Sequence, residues 1–372
     1  MIREESLNLV RRAIDAAAKR DLSQLAECYA LDAVAVSPVF GTISGRAAIA
    51  ATWQTLFSAL HDVVLDVVDV LVDGDRVAVL GTIRTSVAAG LFGSSADGAV
   101  DYRLVLLLTT ADGHIIREER IYDSTGVAER LEKTRLDREL RIAADLQRAL
   151  MGQTEHTRTF CKSVGDSMPC RAIGGDFFEF IDLPRGDVGI VIGDVAGKGP
   201  AAALLAAMIQ GMFASEAPSG GTPAVVLSQI NRLLLARRVN PRFATIVYCV
   251  LSANGQLAYS NAGHNPPFLL TRGGIRRLTT GGPILGAFPS SAFEEETICL
   301  QDGDTLVLFT DGVTEALNPD GGEFGDDGLI SCLKADVLEP SSVLDRILNG
   351  VREFCKQSEQ GDDITVTVTR FR

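Results

Sequence analysis

Residues 173–195 read IGGDFFEFIDLPRGDVGIVIGDV, and this stretch contains two apolar, strand-like segments on either side of a turn at 184–186. If the turn is centred on Arg185, residues whose numbers add up to 370 face each other across an antiparallel hairpin. Asp176 and Asp194 meet that condition, so we expect their carboxylates side by side at the open end of the hairpin. Facing carboxylates repel each other and need a proton or a cation between them.

Two further segments place aspartate next to an apolar strand. Asp311 follows the run TLVLF closely, and the pair Asp362 and Asp363 directly precedes ITVTVTR. Each segment alone is weak, because Asp next to Gly is most often a turn residue. Together, an aspartate-rich set without His or Cys favours hard cations such as Mg²⁺ or Mn²⁺ over zinc.

The composition is that of a globular protein with more than one domain: 372 residues, of which 46% are hydrophobic and 22% charged. A net charge of −13 argues against a nonspecific nucleic-acid binder, which needs a basic face. No segment has the length of a membrane span or the apolar core of a signal peptide. Seven scattered cysteines without a Cys-x-x-Cys pair fit reduced thiols. We therefore expect a soluble, cytoplasmic protein that binds neither nucleic acid nor membrane.

Three segments follow one another along the chain. Residues 1–128 begin with helical periodicity and continue as strand-like runs joined by Asp-Gly turns, which predicts an α+β domain. Residues 129–152 are expected to form a helical linker, either a solvated connector or a dimerising coiled coil. Residues 153–372 alternate strands and helices, which predicts largely antiparallel sheets packed between helices. The heptad seam of the linker consists of Leu136, Leu140, Ala143, Gln147 and Leu150.

From Ala144 onward the chain resembles the SpoIIE-type branch of the metal-dependent PPM phosphatases, which act in bacterial stress and sporulation switches. The matching stretches are ADLQRALM, AIGGDFFEF, VIGDVAGKGPAAALLAAM, FATIVYCVLSANGQLAYSNAGHNPPFLL, GGPILGAF, LQDGDTLVLFTDGVTEALNPDGGEFGDDGL and DDITVTVTR. They occur in the family's order, and their joint occurrence makes the resemblance specific.

The resemblance implies a site for two divalent cations, Mn²⁺ or Mg²⁺. The implied ligands are Asp176, Asp194, Asp311, Asp362 and the backbone carbonyl of Val195, with Asp363 as the alternate to Asp362. Asp176 and Asp194 would be the catalytic residues, since they bridge or flank both ions. Two such ions share a water, and the resulting hydroxide attacks phosphorus in line. The implied activity is hydrolysis of phosphoserine or phosphothreonine on a protein.

Other residues near these motifs have open roles. His264, in NAGHNPP, is a candidate acid for the leaving serine oxygen, although a capping or core histidine is the commoner role. Arg171 is either a contact for the substrate phosphate or a residue that balances charge. GDVAGKG is not a phosphate-binding loop, because Ile192 and Gly199 stand where that motif requires Gly and Ser or Thr.

The first 128 residues resemble the SnoaL-like, ketosteroid-isomerase-like cone fold. The resemblance rests on initial helices, the stretch LDAVAVSPVFGTISGRAAIAATWQTLF and a following curved sheet. This fold can contain an enzyme, a sensor of a small-molecule or protein ligand, or a dimerisation surface. We expect sensing or dimerisation, because a helical linker joins the segment to the phosphatase-like part. Its candidate polar residues are Asp62, Tyr102, Arg120 and Asp123, and the sequence does not say which of them face inward.

The resemblance also implies a substrate and an assembly. The substrate would be a phosphorylated anti-sigma-factor antagonist of the STAS type, and the regulator would be a homodimer whose N-terminal domain modulates its activity. Two rival hypotheses are a non-catalytic, phosphatase-like binding module and a cone domain that is itself the enzyme. All four candidate aspartates are present, which counts against the binding module.

Overall fold

The computed structural model describes residues 2–237, 243–334, 339–356 and 358–372. The chain divides into two compact units, Met1–Glu139 and Leu140–Arg372. In the part described, no helix combines the length and the apolar character that crossing a bilayer requires.

The N-terminal unit is one mixed sheet with helices against one face. Its helices are α1 (Ile2–Ala18), α2 (Leu22–Glu27) and α3 (Arg46–Ala59). Its strands are β1 (Tyr29–Ser37), β2 (Gly41–Ser44), β3 (Leu60–Asp73), β4 (Arg76–Val87), β5 (Gly98–Ala111) and β6 (His114–Ile121). They lie in the order β2-β1-β6-β5-β4-β3, and β1 and β6 form the parallel pair among otherwise antiparallel neighbours. The α+β prediction is confirmed, although β1 and β2, which lie between the helices, were not predicted.

Helix α4 (Ser124–Leu150) connects the two units along the chain. It begins before the expected position 129, because the Asp123 side chain accepts a hydrogen bond from Gly126 N at 2.8 Å and caps the first turn. Val127 and Leu131 are buried in the N-terminal unit, whereas Leu136 and Leu150 of the heptad seam are more than half exposed.

Within the residues described, the C-terminal unit contains two six-stranded sheets. The first sheet contains β9 (Phe177–Asp182), β10 (Val188–Val195), β11 (Ala244–Leu251), β12 (Gln256–Ala262), β15 (Gly281–Gly282) and β16 (Glu296–Cys299). The second sheet contains β7 (Glu155–Arg158), β8 (Cys161–Met168), β13 (Phe268–Thr271), β14 (Gly274–Arg277), β17 (Thr305–Phe309) and β18 (Ile364–Phe371). The helices are α5 (Pro200–Glu216), α6 (Pro223–Ala236), α7 (Asp311–Thr314), α8 (Gly325–Leu333) and α9 (Pro340–Cys355).

Alternation of side chains along the strands makes these sheets a sandwich. On β10, Ile190 and Ile192 pack toward Leu306 and Leu308 of the second sheet. Val191, on the opposite face of β10, belongs to a core shared with α5 and α6. A third core joins β17 and β18 to α8 and α9. The result is a helix–sheet–sheet–helix arrangement, with largely antiparallel sheets between helices as predicted.

The β9–β10 hairpin has the predicted register. Gly193 pairs with Phe177 and Val188 pairs with Asp182, which is the alignment expected for a turn centred on Arg185. Arg185 itself adopts φ 69°, a left-handed conformation that lets the chain reverse within this short turn. The ladder therefore ends one position before Asp176 and Asp194.

Candidate metal centre

The hairpin brings Asp176 and Asp194 together at its open end. The two carboxylates are close enough to share a hydrogen bond, as a facing pair requires. Asp176 is only 3% exposed, and its Oδ2 accepts a hydrogen bond from Thr310 Oγ1 at 2.7 Å. Because Thr310 directly follows β17, this bond ties the end of the first sheet to the end of the second.

The second sheet places its aspartates at the same end. Asp311 begins α7 immediately after Thr310, and Asp362 and Asp363 directly precede β18, which pairs with β17. Gly312 allows this approach, since a Cβ built on it would lie 2.0 Å from the carbonyl oxygen of Asp363. Four strand ends from two sheets thus converge on one carboxylate cluster.

Asp362 and Asp363 differ sharply in their surroundings. Asp363 is 4% exposed, and its two carboxylate oxygens accept hydrogen bonds from Cys170 N and Gly175 N, both at 2.7 Å. The side chain of Asp362 is 38% exposed and pairs with Lys198 Nζ at 2.9 Å. Asp363 therefore fastens the loop that precedes Asp176, whereas Asp362 keeps its carboxylate at the surface of the cluster.

Burial and the crowding of carboxylates together determine the electrostatics of this cluster. Burial, and then the neighbouring charge of Asp194, raise the pKa of Asp176 well above its usual range. Burial, and then the charges of Asp311 and Asp362, raise the pKa of Asp194 to about 7. Burial and the charge of Asp362 raise the pKa of Asp311 as well. A buried set of mutually repelling oxygen ligands is the kind of donor set that hard divalent cations neutralise, so these residues fit such ions.

The backbone of Val195 lies at the edge of the same cluster. Val195 ends β10, and its carbonyl oxygen would lie 2.7 Å from a Cβ built on Gly175. Gly175 is therefore needed for the loop to pass this close to the carbonyl. The predicted ligand atom faces the loop that carries Asp176.

Two residues near the cluster were not identified from the sequence. Lys198 donates to Gly361 O at 2.5 Å in addition to pairing with Asp362, which brings a cation to the rim. Its position four residues after Asp194, within a Gly-rich turn, was the available signal. The Cys170 sulfur lies within 4.8 Å of oxygens of both Asp362 and Asp363, and burial raises the pKa of its thiol to about 11. A protonated thiol is a poor ligand for hard cations, so we leave Cys170 out of the ligand set.

His264 is buried and contacts one residue of each sheet close to the aspartates. It is 5% exposed; Nδ1 lies 2.8 Å from Thr245 Oγ1 and Nε2 lies 3.1 Å from Phe309 O. Thr245 pairs with Asp194 across the first sheet, and Phe309 precedes Thr310 in the second. Burial lowers the pKa of His264 to about 4, so the ring is neutral at pH 7. This environment suits the bracing role better than that of a solvent-linked acid.

The remaining candidate, Arg171, is exposed on the loop that precedes Asp176. Among the described residues it has no ion-pair partner within 4.0 Å, so it is available to an incoming anion.

The linker helix reaches this loop through Gln147. Its Nε2 donates to Gly174 O at 2.7 Å, and its Oε1 accepts from Gly174 N at 3.2 Å. The polar position of the predicted heptad seam is thus paired with backbone next to Asp176.

The two-sheet sandwich and its aspartate cluster agree with the family that the sequence matches. The sequence profile described as "Stage II sporulation protein E (SpoIIE)" matches residues 184–372, and the SnoaL-like domain profile matches residues 10–118. The chain belongs to the SpoIIE family and carries an N-terminal SnoaL-like domain. Both resemblances seen in the sequence are confirmed.

Individual proteins agree with this assignment. Protein IcfG of Synechocystis sp. is 31% identical over 227 residues, 53% of this chain and 36% of that protein. The phosphoserine phosphatase RsbU of Bacillus subtilis is 32% identical over 187 residues, 49% of this chain and 55% of RsbU. The chain thus spans about half the length of RsbU and less of IcfG. The solved SiaA-PP2C domain of Pseudomonas aeruginosa, at 19% identity, covers 65% of this chain and 99% of its own with a TM-score of 0.56, which shows the shared fold.

Proposed function

We propose that this protein is a metal-dependent protein serine/threonine phosphatase. The observation that carries the proposal is the convergence of Asp176, Asp194, Asp311 and Asp362 at the adjoining ends of two sheets. RsbU, one of the relatives in sequence, is named a phosphoserine phosphatase.

The proposed ligands of two divalent cations, Mn²⁺ or Mg²⁺, are the carboxylates of Asp176, Asp194, Asp311 and Asp362 with the carbonyl of Val195. Such cations, when bound, activate water at neutral pH and neutralise charge on phosphoryl oxygens. We propose Asp362 and not Asp363 as the ligand, because Asp363 is buried and ties down two loop amides, whereas the side chain of Asp362 is 38% exposed.

The other residues of the centre hold this arrangement in place. Thr310 fixes one oxygen of Asp176. Asp363 holds the loop at Cys170 and Gly175, and Lys198 screens Asp362. These contacts preorganise the ligands, which lowers the cost of gathering them when a cation binds.

Hydrolysis of p-nitrophenyl phosphate with Mn²⁺ or Mg²⁺ tests the proposal. We expect Asp194→Ala to abolish turnover, while Asp187→Ala, at the opposite end of the same hairpin, leaves it unchanged. Equal activity of both variants and the wild type would refute the assignment of the site. Inactivity of the wild type toward p-nitrophenyl phosphate and phosphoproteins with either metal would favour the alternative, a non-catalytic binding module.

For the substrate we propose a phosphorylated STAS-type anti-sigma-factor antagonist, and for the compartment the cytoplasm. Both rest on the family resemblance. Incubation with the phosphorylated STAS proteins of the same cell, with phosphocasein as the control, tests the choice. Preferential loss of phosphate from one STAS protein supports it, and equal rates on phosphocasein would contradict it.

For regulation we propose three functional segments: a sensory or dimerising domain over 1–128, a linker over 129–152 and the phosphatase domain over 153–372. The exposed Leu136, Leu146 and Leu150 of α4 support a homodimer formed along this helix. Apolar side chains that stay in water do not stabilise a single helix, whereas burying them against a second copy does. Light scattering should show a dimer for the wild type and a monomer for Leu136→Glu. A monomeric wild type would rule out this arrangement.

A further inference from the structure

The N-terminal unit contains a partly open cavity of about 130 Å³ between α1, α3 and the sheet. Its wall is mostly aliphatic and aromatic, with side chains such as Ile14, Phe57, Leu104 and Leu106. An apolar cavity of about 150 Å³ accommodates a single benzene ring. This cavity therefore has room for a ligand with about one ring.

One side of this cavity is polar, and its hydrogen bonds form a chain. Arg120 Nε donates to Glu118 Oε1 at 2.5 Å, and Tyr29 Oη donates to the other oxygen of Glu118. Trp53 Nε1 donates to Tyr29 Oη at 3.3 Å. The guanidinium carbon of Arg120 lies 4.4 Å from the centre of the Trp53 ring. Together, these hydrogen bonds and the stacking on Trp53 fix the orientation of the Arg120 guanidinium group.

This series of hydrogen bonds leaves two donors of Arg120, Nη1 and Nη2, without an acceptor among the described residues. The Arg120 side chain is only 4% exposed, yet neither Nη1 nor Nη2 has a hydrogen-bond partner among the described residues. Burying a cationic donor without an acceptor is unfavourable, so native proteins rarely retain such groups without a reason. Tyr102 and Tyr122 line the same cavity and carry additional hydroxyl groups.

We propose that this cavity binds a small carboxylic acid of about one ring, whose carboxylate accepts hydrogen bonds from Nη1 and Nη2 of Arg120 while its apolar body fills the cavity. Two terminal nitrogens of one guanidinium group match the two oxygens of a carboxylate in a parallel pair of bonds. A neutral carbonyl group offers only one oxygen, so it cannot accept a separate hydrogen bond from each of the two Arg120 nitrogens along this parallel geometry. The ligand class follows from the shape and charge of the site and does not depend on the phosphatase activity.

The chain contains its own reporter, because Trp53 is its single tryptophan and lines the cavity. Full-length protein is titrated with benzoate, cyclohexanecarboxylate and the neutral isostere benzamide, and binding is followed by Trp53 emission and calorimetry. We expect saturable binding of the carboxylates, with benzamide weaker by at least about tenfold. Saturation with neither carboxylate, or equal affinity for benzamide, would overturn the proposal.

Two matched variants locate the contact. Arg120→Lys keeps a cation beside Glu118 but removes the planar fork, so benzoate affinity should fall by roughly tenfold. Arg20 lines the same cavity, but its terminal nitrogens already donate to the carbonyls of Phe57 and Leu60. Arg20→Lys should therefore leave benzoate affinity unchanged. Unchanged affinity in Arg120→Lys, with its fold confirmed by circular dichroism, would also overturn the proposal.

Discussion

The side-chain amide of Gln147 forms two hydrogen bonds with the backbone of Gly174. Its Nε2 donates to the carbonyl oxygen at 2.7 Å, and its Oε1 accepts from the amide nitrogen at 3.2 Å. The next residue, Gly175, donates to Asp363, and the one after it, Asp176, accepts from Thr310. Three consecutive residues are thus held by the linker helix and by the ends of both strands β18 and β17. A displacement of α4 would reach a proposed metal ligand through a single peptide segment.

Removing the Gln147 amide tests this coupling. In Gln147→Ala the Gly174 backbone loses both partners, so Asp176 is held less firmly. We expect kcat/KM for p-nitrophenyl phosphate to fall by roughly tenfold, since two hydrogen bonds at ~1 kcal/mol each are at stake. The Mn²⁺ concentration for half-maximal activity should rise as well, which a purely structural role in the helix does not predict.

Arg141→Ala is the matched control for this change, because Arg141 is exposed on the same helix. It should leave turnover and the metal requirement as in the wild type. Wild-type values in Gln147→Ala would show that the linker helix does not act through Gly174.

The pair Asp362 and Asp363 provides a second test. Asp362→Asn removes a proposed ligand near the surface, so we expect weaker Mn²⁺ binding and at least about a hundredfold loss of turnover with little change in melting temperature. Asp363→Asn replaces one of two acceptor oxygens by a donor that opposes Cys170 N–H or Gly175 N–H. It should destabilise the metal-free protein by about 1–3 kcal/mol.

Calorimetry with Mn²⁺ and thermal unfolding in EDTA separate the two effects. The opposite pattern, a stability loss in Asp362→Asn and a metal-binding loss without instability in Asp363→Asn, would make Asp363 the ligand instead.

How much of this centre the sequence predicts depends on whether contacts are local. The register of β9 against β10 follows from one short turn between two apolar strands, and this predicted register was confirmed up to the pair Gly193 and Phe177. The hydrogen bond from Thr310 to Asp176 joins different sheets. The spacing of apolar residues along the sequence does not predict how two sheets pack against each other. Only the family resemblance placed Asp311 and Asp362 near this hairpin.

Strand β8 shows a second limit of sequence patterns. It was not predicted, because its buried positions include Ser163 and Gly165 instead of an alternating apolar series. Ser163 bonds Thr369 at 2.8 Å, so hydrogen bonding replaces apolar side chains within this part of the sandwich. In the cone, likewise, the inward orientation of Tyr102 and Arg120 became evident only from the cavity, while Asp62 is exposed and Asp123 caps α4.

Burial of Asp194 among other carboxylates predicts that the metal-free centre is destabilising at neutral pH. Its pKa of about 7, against an ordinary 3.8, means that the folded state retains a proton across that interval and loses stability as the pH rises through it. Asp194→Asn removes this penalty. We expect it to stabilise the EDTA-treated protein at pH 7.5 by on the order of 2 kcal/mol. Mn²⁺ should raise the melting temperature of the wild type but not that of Asp194→Asn.

Asp187→Asn serves as the control here, and it should keep the Mn²⁺ response of the wild type. A lower melting temperature for Asp194→Asn than for wild type in EDTA would show that the carboxylate stabilises the metal-free fold.

Buried His264 predicts a loss of stability in acid. Its pKa of about 4 lies below the ordinary 6.5, because burial disfavours the charged ring. The unfolded chain therefore takes up a proton first, so the stability from this group is complete above pH 6.5 and is lost as the pH falls toward 4. A difference of this size corresponds to at most about 3 kcal/mol. His264→Asn cannot titrate and should show a shallower loss between pH 7 and pH 5.

Urea unfolding followed by circular dichroism in EDTA measures this slope. Thr245→Val is the matched control, since it removes the hydroxyl at 2.8 Å from Nδ1 but leaves the imidazole to titrate. It should lower the free energy of unfolding by similar amounts at both pH values, whereas His264→Asn narrows the gap between them. Parallel pH dependence in His264→Asn and wild type would mean that other groups, such as carboxylates paired in the folded state, account for the acid sensitivity of this unit.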